Sequence, residues 1–318
     1  MKYRQLGKTK LQVSEIGFGC WAIGGSGYGP TRDVESLEAL EAAWEHGVNF
    51  YDTADTYGHG HSEKLLARFL KGKPRDQIFV ASKAGWDFYH GGNKKNFSRD
   101  YIRFACDESL KRLGMDTLDL YQLHNPSLEL LQKSDMLDTL ERLKKEGKIR
   151  FIGVSIHTEA DGLRALRDPR VDTLQVIHHL MDRRMVPRVF EEAKRQNVGI
   201  LVREPLACGL LSGKYTPDHQ FAKEDHRRRW MKEKLILDLK KVDILKTIIQ
   251  GRDLSLLRAA LEFVLSFDAV STVIPGAKTK DQILENLRAT EIPKLDEGLK
   301  KRLQEIYYKE EIFKLTQS

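Results

Sequence analysis

VNFYDTADTYGHGHSE, residues 48–63, begins as an apolar strand and ends at a helix that starts near Ser62. Asp52 closes the strand, and Tyr57 stands on the loop before the helix. A strand that hands over to a helix is half of a repeating βα pattern, so the fold depends on whether the pattern recurs. Short β-branched or aromatic runs do recur along the chain: EIGFG (15–19), VNFYD (48–52), QIFVASK (77–83), LDLYQLH (118–124), IRFIGVS (149–155), TLQVIH (173–178), GILVRE (199–204) and VSTVIP (270–275), eight in all. Amphipathic stretches such as VESLEALEAAWEHG (34–47), SRDYIRFACDESLKRLG (98–114) and MLDTLERLKKEGK (136–148) lie between them, bounded by cap-like Asp or Ser at the start or Gly at the end. Eight alternations with no Pro/Gly/Ser-rich linker predict an α/β fold, a closed (β/α)8 TIM barrel in one domain over residues 1–318. An open doubly wound sheet is the alternative. KYRQLGKTKLQVS (2–14) reads as an N-terminal β-hairpin, and LDEGLKKRLQEIYYKEEIF (295–313), in the tail after Ile292, as one more helix packed on the barrel's outside.

The bulk numbers agree with such a fold. The chain has 318 residues, 41% of them hydrophobic and 31% charged, with no apolar run near the ~20 residues of a membrane span. That describes a soluble globular protein without a membrane partner. The opening MKYRQLGKTKLQVSE lacks the apolar centre of a secretory signal, which predicts a cytoplasmic protein. Cys20, Cys106 and Cys208 are too few and too scattered for a disulfide framework or a CxxC zinc site, so free thiols and no metal are expected. The net charge of +7 is spread over helical segments and interleaved with Glu and Asp, a solvated surface rather than a nucleic-acid footprint. HRRRW (226–230) is the exception and reads as a mobile basic loop, with an anionic cofactor or ligand as its sharper meaning. From Pro205 to a helix near Leu254 no element is clear, and long irregular segments in compact domains are usually functional. A monomer or weak oligomer is the expected state.

In a barrel the reactive groups gather where the C-terminal ends of the strands meet. Asp52 closes strand two, Lys83 strand three and His124 strand four, with Tyr57 on the loop after strand two. Singly each has an ordinary reading: a turn aspartate, a paired lysine, a hydrogen-bonded histidine, a packed aromatic. Lys83 is the hardest to dismiss, because an ammonium at the end of the apolar run IFVASK needs a carboxylate, and Asp52 is on the adjacent strand. Together they make an acid. A phenol titrates near ~10, so Tyr57 as a proton donor needs a neighbour that stabilises its phenolate, and Lys83 can do that while Asp52 holds the lysine charged. His124 would donate to the substrate oxygen or relay the proton. Such a site suits protonation of a carbonyl oxygen as its carbon accepts hydride. No side chain supplies hydride, so a nicotinamide or a flavin is required.

GFGCWAIGG (17–25), DTADTYGHGHSE (52–63), VASKAG (80–85), LYQLHNP (120–126), PLACGLLSGKY (205–215) and VIPGAKTKDQILEN (273–286) together resemble the aldo-keto reductase family over nearly the whole chain. The resemblance implies a reductase of small-molecule aldehydes or ketones that binds NADP(H), with NAD(H) as second choice, in a barrel without a Rossmann motif. It carries the catalytic tetrad onto Asp52, Tyr57, Lys83 and His124. It places the nicotinamide near Trp21, Asp52, Ser155 and Gln175, with its carboxamide on Ser155 and Gln175. Leu206, Gly209, Leu211, Gly213 and Lys214 would wrap the pyrophosphate, and Gly276, Lys278, Gln282 and Asn286 would hold the adenosine end. Trp21, Trp86, Phe88 and Tyr89 are candidates for an apolar substrate wall.

Three departures stand out. Ile156 replaces an asparagine beside the carboxamide. Arg203 replaces a stacking aromatic, and its charge, unless neutralised by Glu204, would favour the neutral reduced cofactor and so carbonyl reduction. Gly276 and Gln282 replace basic residues, leaving Lys278 as the best partner for a 2′-phosphate. A different class of function is a cofactor-binding regulatory subunit with little turnover, since some proteins resembling this family bind channels. A third is a metal-dependent hydrolase using Asp52, His124 and His157.

Overall fold

A computed structural model describes residues 1–315 apart from residues 26, 93, 134 and 292–294. The chain opens with an antiparallel hairpin of β1 (Tyr3–Gln5) and β2 (Gln12–Ser14). It continues with β3 (Phe18–Gly19), α1 (Asp33–Glu45), β4 (Phe50–Asp52), α2 (His61–Leu70) and β5 (Phe79–Ala84). A second small hairpin, β6 (Trp86–Asp87) with β7 (Lys94–Lys95), precedes α3 (Arg99–Leu113). Then come β8 (Leu118–His124), α4 (Leu128–Leu131), α5 (Asp135–Lys145), β9 (Ile149–Ser155), α6 (Glu159–Ala165) and β10 (Thr173–Ile177). A π-helical turn at Val186–Phe190 leads into α7 (Glu191–Arg195), followed by β11 (Gly199–Arg203) and α8 (Lys232–Ile249). The chain finishes with α9 (Leu256–Leu265), β12 (Val270–Val273), α10 (Lys280–Leu287) and α11 (Glu297–Lys309).

Eight parallel strands stand side by side in the order β3, β4, β5, β8, β9, β10, β11, β12. The sheet meets itself through parallel bridges Ile16–Val273 and Gly19–Gly276, where Gly17 N–H donates to Val273 O at 2.8 Å and Gly19 N–H to Pro275 O at 3.1 Å. The expected (β/α)8 barrel is therefore the fold. Because helices cover the outer face, strands such as β8 are buried at every residue, including its polar Asp119, Gln122 and His124.

Inside the barrel the period of two sorts side chains into layers. Phe50, Ala81, Leu120 and Leu201 form an apolar lower layer together with Leu6, Leu11, Val13 and Ile274. Two residues further along the same strands stand Asp52, Lys83, Gln122 and Arg203, a polar upper layer. The β1–β2 hairpin closes the lower end: a Cβ on Gly7 would lie 2.2 Å from Gly199 N, so only glycine lets the hairpin approach so closely.

One expectation changes. The segment after Pro205 is not without regular structure, since α8 is an 18-residue helix within it. Its apolar stripe is interrupted because Asp238 and Lys241 sit on the buried face beside Leu235, Leu239, Val242 and Leu245, paired at 3.2 Å. Within GGNKK (91–95), Lys94 and Lys95 stand in register with Asp87 and Trp86, while residue 93 lies outside the described residues. The extra C-terminal helix is present as α11, packed against α8 through a face carrying Leu299 and Leu303, although residue 292, which opens its tail, lies outside the described residues. All three cysteines are free. Among the described residues no helix is long and apolar enough to cross a membrane.

Candidate active site

The polar layer is tied by one lysine. Lys83 Nζ donates to Asp52 Oδ1 at 2.5 Å, to Thr53 O at 2.8 Å and to Tyr57 OH at 3.1 Å. An ammonium has three hydrogens, and each has an acceptor here. Asp52 uses its other oxygen to accept from Gln175 Nε2 at 2.7 Å and Gln122 Nε2 at 3.0 Å. Strand register brings these groups together, with Lys83 level with Gln122 on β8 and Gln175 level with Ser155 on β9. Tyr57 is delivered by the turn after β4. Gly58 has φ +59°, and a Cβ there would lie 2.0 Å from Gly24 O, so glycine lets this turn press against the loop after β3.

Burial works against the Lys83 charge, but Asp52 and Tyr57 outweigh it, and the ammonium is held above its ordinary pKa. For Tyr57 burial comes first and raises the phenol pKa, while Lys83 pulls it down and Asp52 pushes it up. The net direction is upward, against the expectation of an acidified phenol. One ammonium already shared with a carboxylate does not recover the cost of desolvating a phenolate. His124 stands edge-on to Tyr57 with ring centroids 5.8 Å apart, and its buried Nδ1 has no partner among the described residues. Burial, then the charges of Lys83 and Arg203, hold its pKa well below the ordinary imidazole value, so the ring is neutral.

Above this layer opens a cavity of about 900 Å³ bounded by Trp21, Trp86, His124, Gln175, Arg203 and Gly276 among others. Ser155 donates to Asn125 Oδ1 at 2.7 Å. Asn125 itself, at φ +58°, lines the cavity. Ile156 is fully buried in the outer core and offers no side-chain hydrogen bond. Arg203 pairs with Glu204, and its other Nη lies 3.1 Å from His157 Nδ1 and 3.3 Å from Ile156 O. Among the described residues no three or more His, Cys, Asp or Glu side chains gather as metal ligands.

Several expected site residues lie outside the lining of this cavity. Phe88 is outside the lining, stacked between His59 at 5.1 Å and Tyr89 at 4.0 Å, because a neighbouring ring gives it more contact than the open mouth does. Gly209 and Leu211 lie in a 3-10 segment, Ala207–Ser212, which Leu206 and Gly213 cap and Lys214 follows, and all five are outside the lining. Leu211 is fully buried in the core, and Lys214 lies exposed over the Tyr215 ring at 5.2 Å. The wall on this side comes instead from the basic stretch, a 3-10 turn at His226–Arg229. Arg227 pins that turn: it pairs with Asp225 at 2.6 Å and donates to Cys208 O at 2.8 Å and Tyr215 OH at 2.7 Å. At the far end Gln282 Oε1 accepts from Lys278 N at 2.8 Å, and Asn286 Nδ2 is buried without a partner among the described residues. Lys278 Nζ donates to the carbonyls of Tyr28 and Gly29. Gln122 and Asn125 join the cluster as well, and a glutamine inside LDLYQLH, two residues before His124 and so on the same face of the strand, is itself a signal.

The aldo/keto reductase family model matches residues 15–307. Aldo-keto reductase YhdN of Bacillus subtilis (strain 168) is 32% identical over 291 residues, covering 89% of this chain and 87% of that protein. The NADH-specific methylglyoxal reductase of Escherichia coli (strain K12) is 30% identical over 313 residues, covering 92% and 94%. The holo form of aldo-keto reductase AKR11C1 from Bacillus halodurans superposes with a TM-score of 0.82 at 30% identity, covering 96% of each chain. With the barrel, the strand-end cluster and these relatives in agreement, the chain belongs to the aldo/keto reductase family, whose members are oxidoreductases that use nicotinamide cofactors.

Proposed function

We propose that this chain reduces aldehyde or ketone carbonyls to alcohols with NADPH, Tyr57 serving as general acid, NADH being the second choice. The observation that carries the reading is Lys83 Nζ between Asp52 Oδ1 at 2.5 Å and Tyr57 OH at 3.1 Å. A bound nicotinamide supplies the hydride, which no side chain can. Tyr57 passes its proton to the carbonyl oxygen, and the phenolate charge forms next to an ammonium already oriented by Asp52. The raised phenol pKa keeps that proton in place through neutral pH. His124, neutral, donates a hydrogen bond to the same oxygen and fixes the carbonyl's direction.

The residues present suit a nicotinamide dinucleotide. Asn286 Nδ2, buried and without a partner among the described residues, stands one helical turn after Gln282 and awaits an acceptor at the adenosine end. Trp21, Gln175, Arg203 and the Ser155–Asn125 pair surround the nicotinamide end. The preference for NADPH rests on Lys223, Arg228 and Arg229, which line the cavity without a carboxylate partner among the described residues and complement a more highly charged ligand.

Tyr57→Phe tests the reading. It should lower the turnover of aldehydes by about 10²- to 10⁴-fold while NADPH affinity stays nearly constant, because only the proton donor is removed. The readout is loss of reduced-cofactor absorbance over a panel of aromatic and aliphatic aldehydes. A mild effect would move the acid role to His124. Tight NADPH binding by the wild type with silence across the panel would favour the regulatory-subunit reading.

A further inference from the structure

Lys278 does something in this structure that a phosphate ligand would not need. Its Nζ donates to the main-chain carbonyls of Tyr28 and Gly29, the latter at 3.3 Å. Among the described residues no carboxylate lies within ion-pair distance of it. The turn it holds is the meeting point of two long loops. Tyr28 forms an antiparallel bridge with Asp225, His226 N–H donates to Gly27 O at 3.0 Å, and His226 Nδ1 lies 2.6 Å from the same oxygen. Arg227 lies 4.6 Å over the Tyr28 ring, while Trp21 packs against both Tyr28 at 5.0 Å and His226 at 4.9 Å. Gly29 has φ +81°, and a Cβ there would lie 3.4 Å from Ala222 and 3.8 Å from Lys278 Nζ, so turn, strap and lysine converge on one spot.

Residues 27–29 and 222–230 thus join across the cavity mouth, one loop from β3 and the other from β11, with Lys278 as the third anchor from beyond β12. We propose that Lys278 is a positioning residue: it locks the Tyr28–Gly29 turn, and through it the 222–230 strap, over the dinucleotide cavity, and it does not read the ribose 2′-phosphate. The second half rests on the cofactor reading proposed above; the first does not. Turning Nζ to a phosphate would release two carbonyls and unseat the Tyr28–Asp225 bridge.

A lock of this kind acts on the fraction of molecules whose cavity is formed, so it affects both dinucleotides alike. In Lys278→Met, which keeps the stem and removes the donors, hydrogen exchange over residues 21–30 and 216–230 should quicken in the cofactor-free protein. Dissociation constants for NADPH and NADH, read by fluorescence titration, should both rise by about threefold to tenfold with their ratio unchanged within about twofold. Gly29→Ala strains the same turn without altering any charge and should give the same pattern, which keeps the test decisive if the lysine variant folds poorly. Loss of NADPH binding alone, or unchanged exchange in both variants, would overturn the proposal. If the wild type binds neither dinucleotide, the cofactor reading fails while the exchange data still judge the lock.

Discussion

The floor of the cavity and its cover are built on opposite principles. On the floor, Asp52, Lys83, Gln122 and Gln175 hang from strands whose register is fixed by the barrel, and the three hydrogens of Lys83 all have acceptors. In the cover, the loops 21–30 and 204–230 hold together through rings, left-handed residues such as Glu204 and Cys208, and main-chain bridges. Rigid elements set reacting atoms to a fraction of an ångström, whereas loops open and close at small cost. The contrast teaches that strand pairing sets the geometry of the floor, while the cover is held by contacts between loops.

The harshest way to break the comparison is Lys83→Met. It leaves Asp52 charged and buried without its cation, so stability should fall by about 3–5 kcal/mol, read from the urea midpoint, and reduction should cease. Gln122→Leu removes one donor from Asp52 Oδ2 and should cost about 1–3 kcal/mol, smaller because Gln175 still donates there. A pH profile sharpens the floor further. Tyr57 carries its proton below its raised pKa and loses it as pH climbs through that value, so kcat/KM for reduction should stay level through neutrality and fall only above the ~10 of an ordinary phenol. His124 is already neutral there, so no inflection should appear near the ordinary ~6.5 of imidazole. A fall in rate between pH 6 and 8 would contradict both assignments. The smallest effect lies where floor and cover meet, at the end of β11. Because Glu204 pairs with Arg203, Arg203→Tyr should change the ratio of affinities for oxidised and reduced cofactor by no more than about threefold, a weak bias toward reduction. A tenfold change would mean that the guanidinium charge is felt unshielded.

The floor was legible in the sequence because two regularities coincide there. A period of two inside apolar runs makes a lone Asp, Lys or His at a strand end conspicuous, and the eightfold βα rhythm says which end is shared. Where a second interaction competes, the letters alone do not decide. Lys83 beside Tyr57 suggested an acidified phenol, but the weight of burial becomes visible only in three dimensions. Phe88 could face either a ligand or another ring. Lys278 could meet a phosphate or two carbonyls. Helix α8 was hidden because its buried face carries the Asp238–Lys241 pair, which erases the stripe that marks its neighbours.

The hairpin of β1 and β2 makes the barrel a cup rather than a tube. With Leu6 and Gly7 sealed against Gly199, nothing reaches the lysine from underneath. Whatever enters must leave by the same rim, and in the reduction proposed above the solvent proton that reloads Tyr57 would share that rim with the departing alcohol.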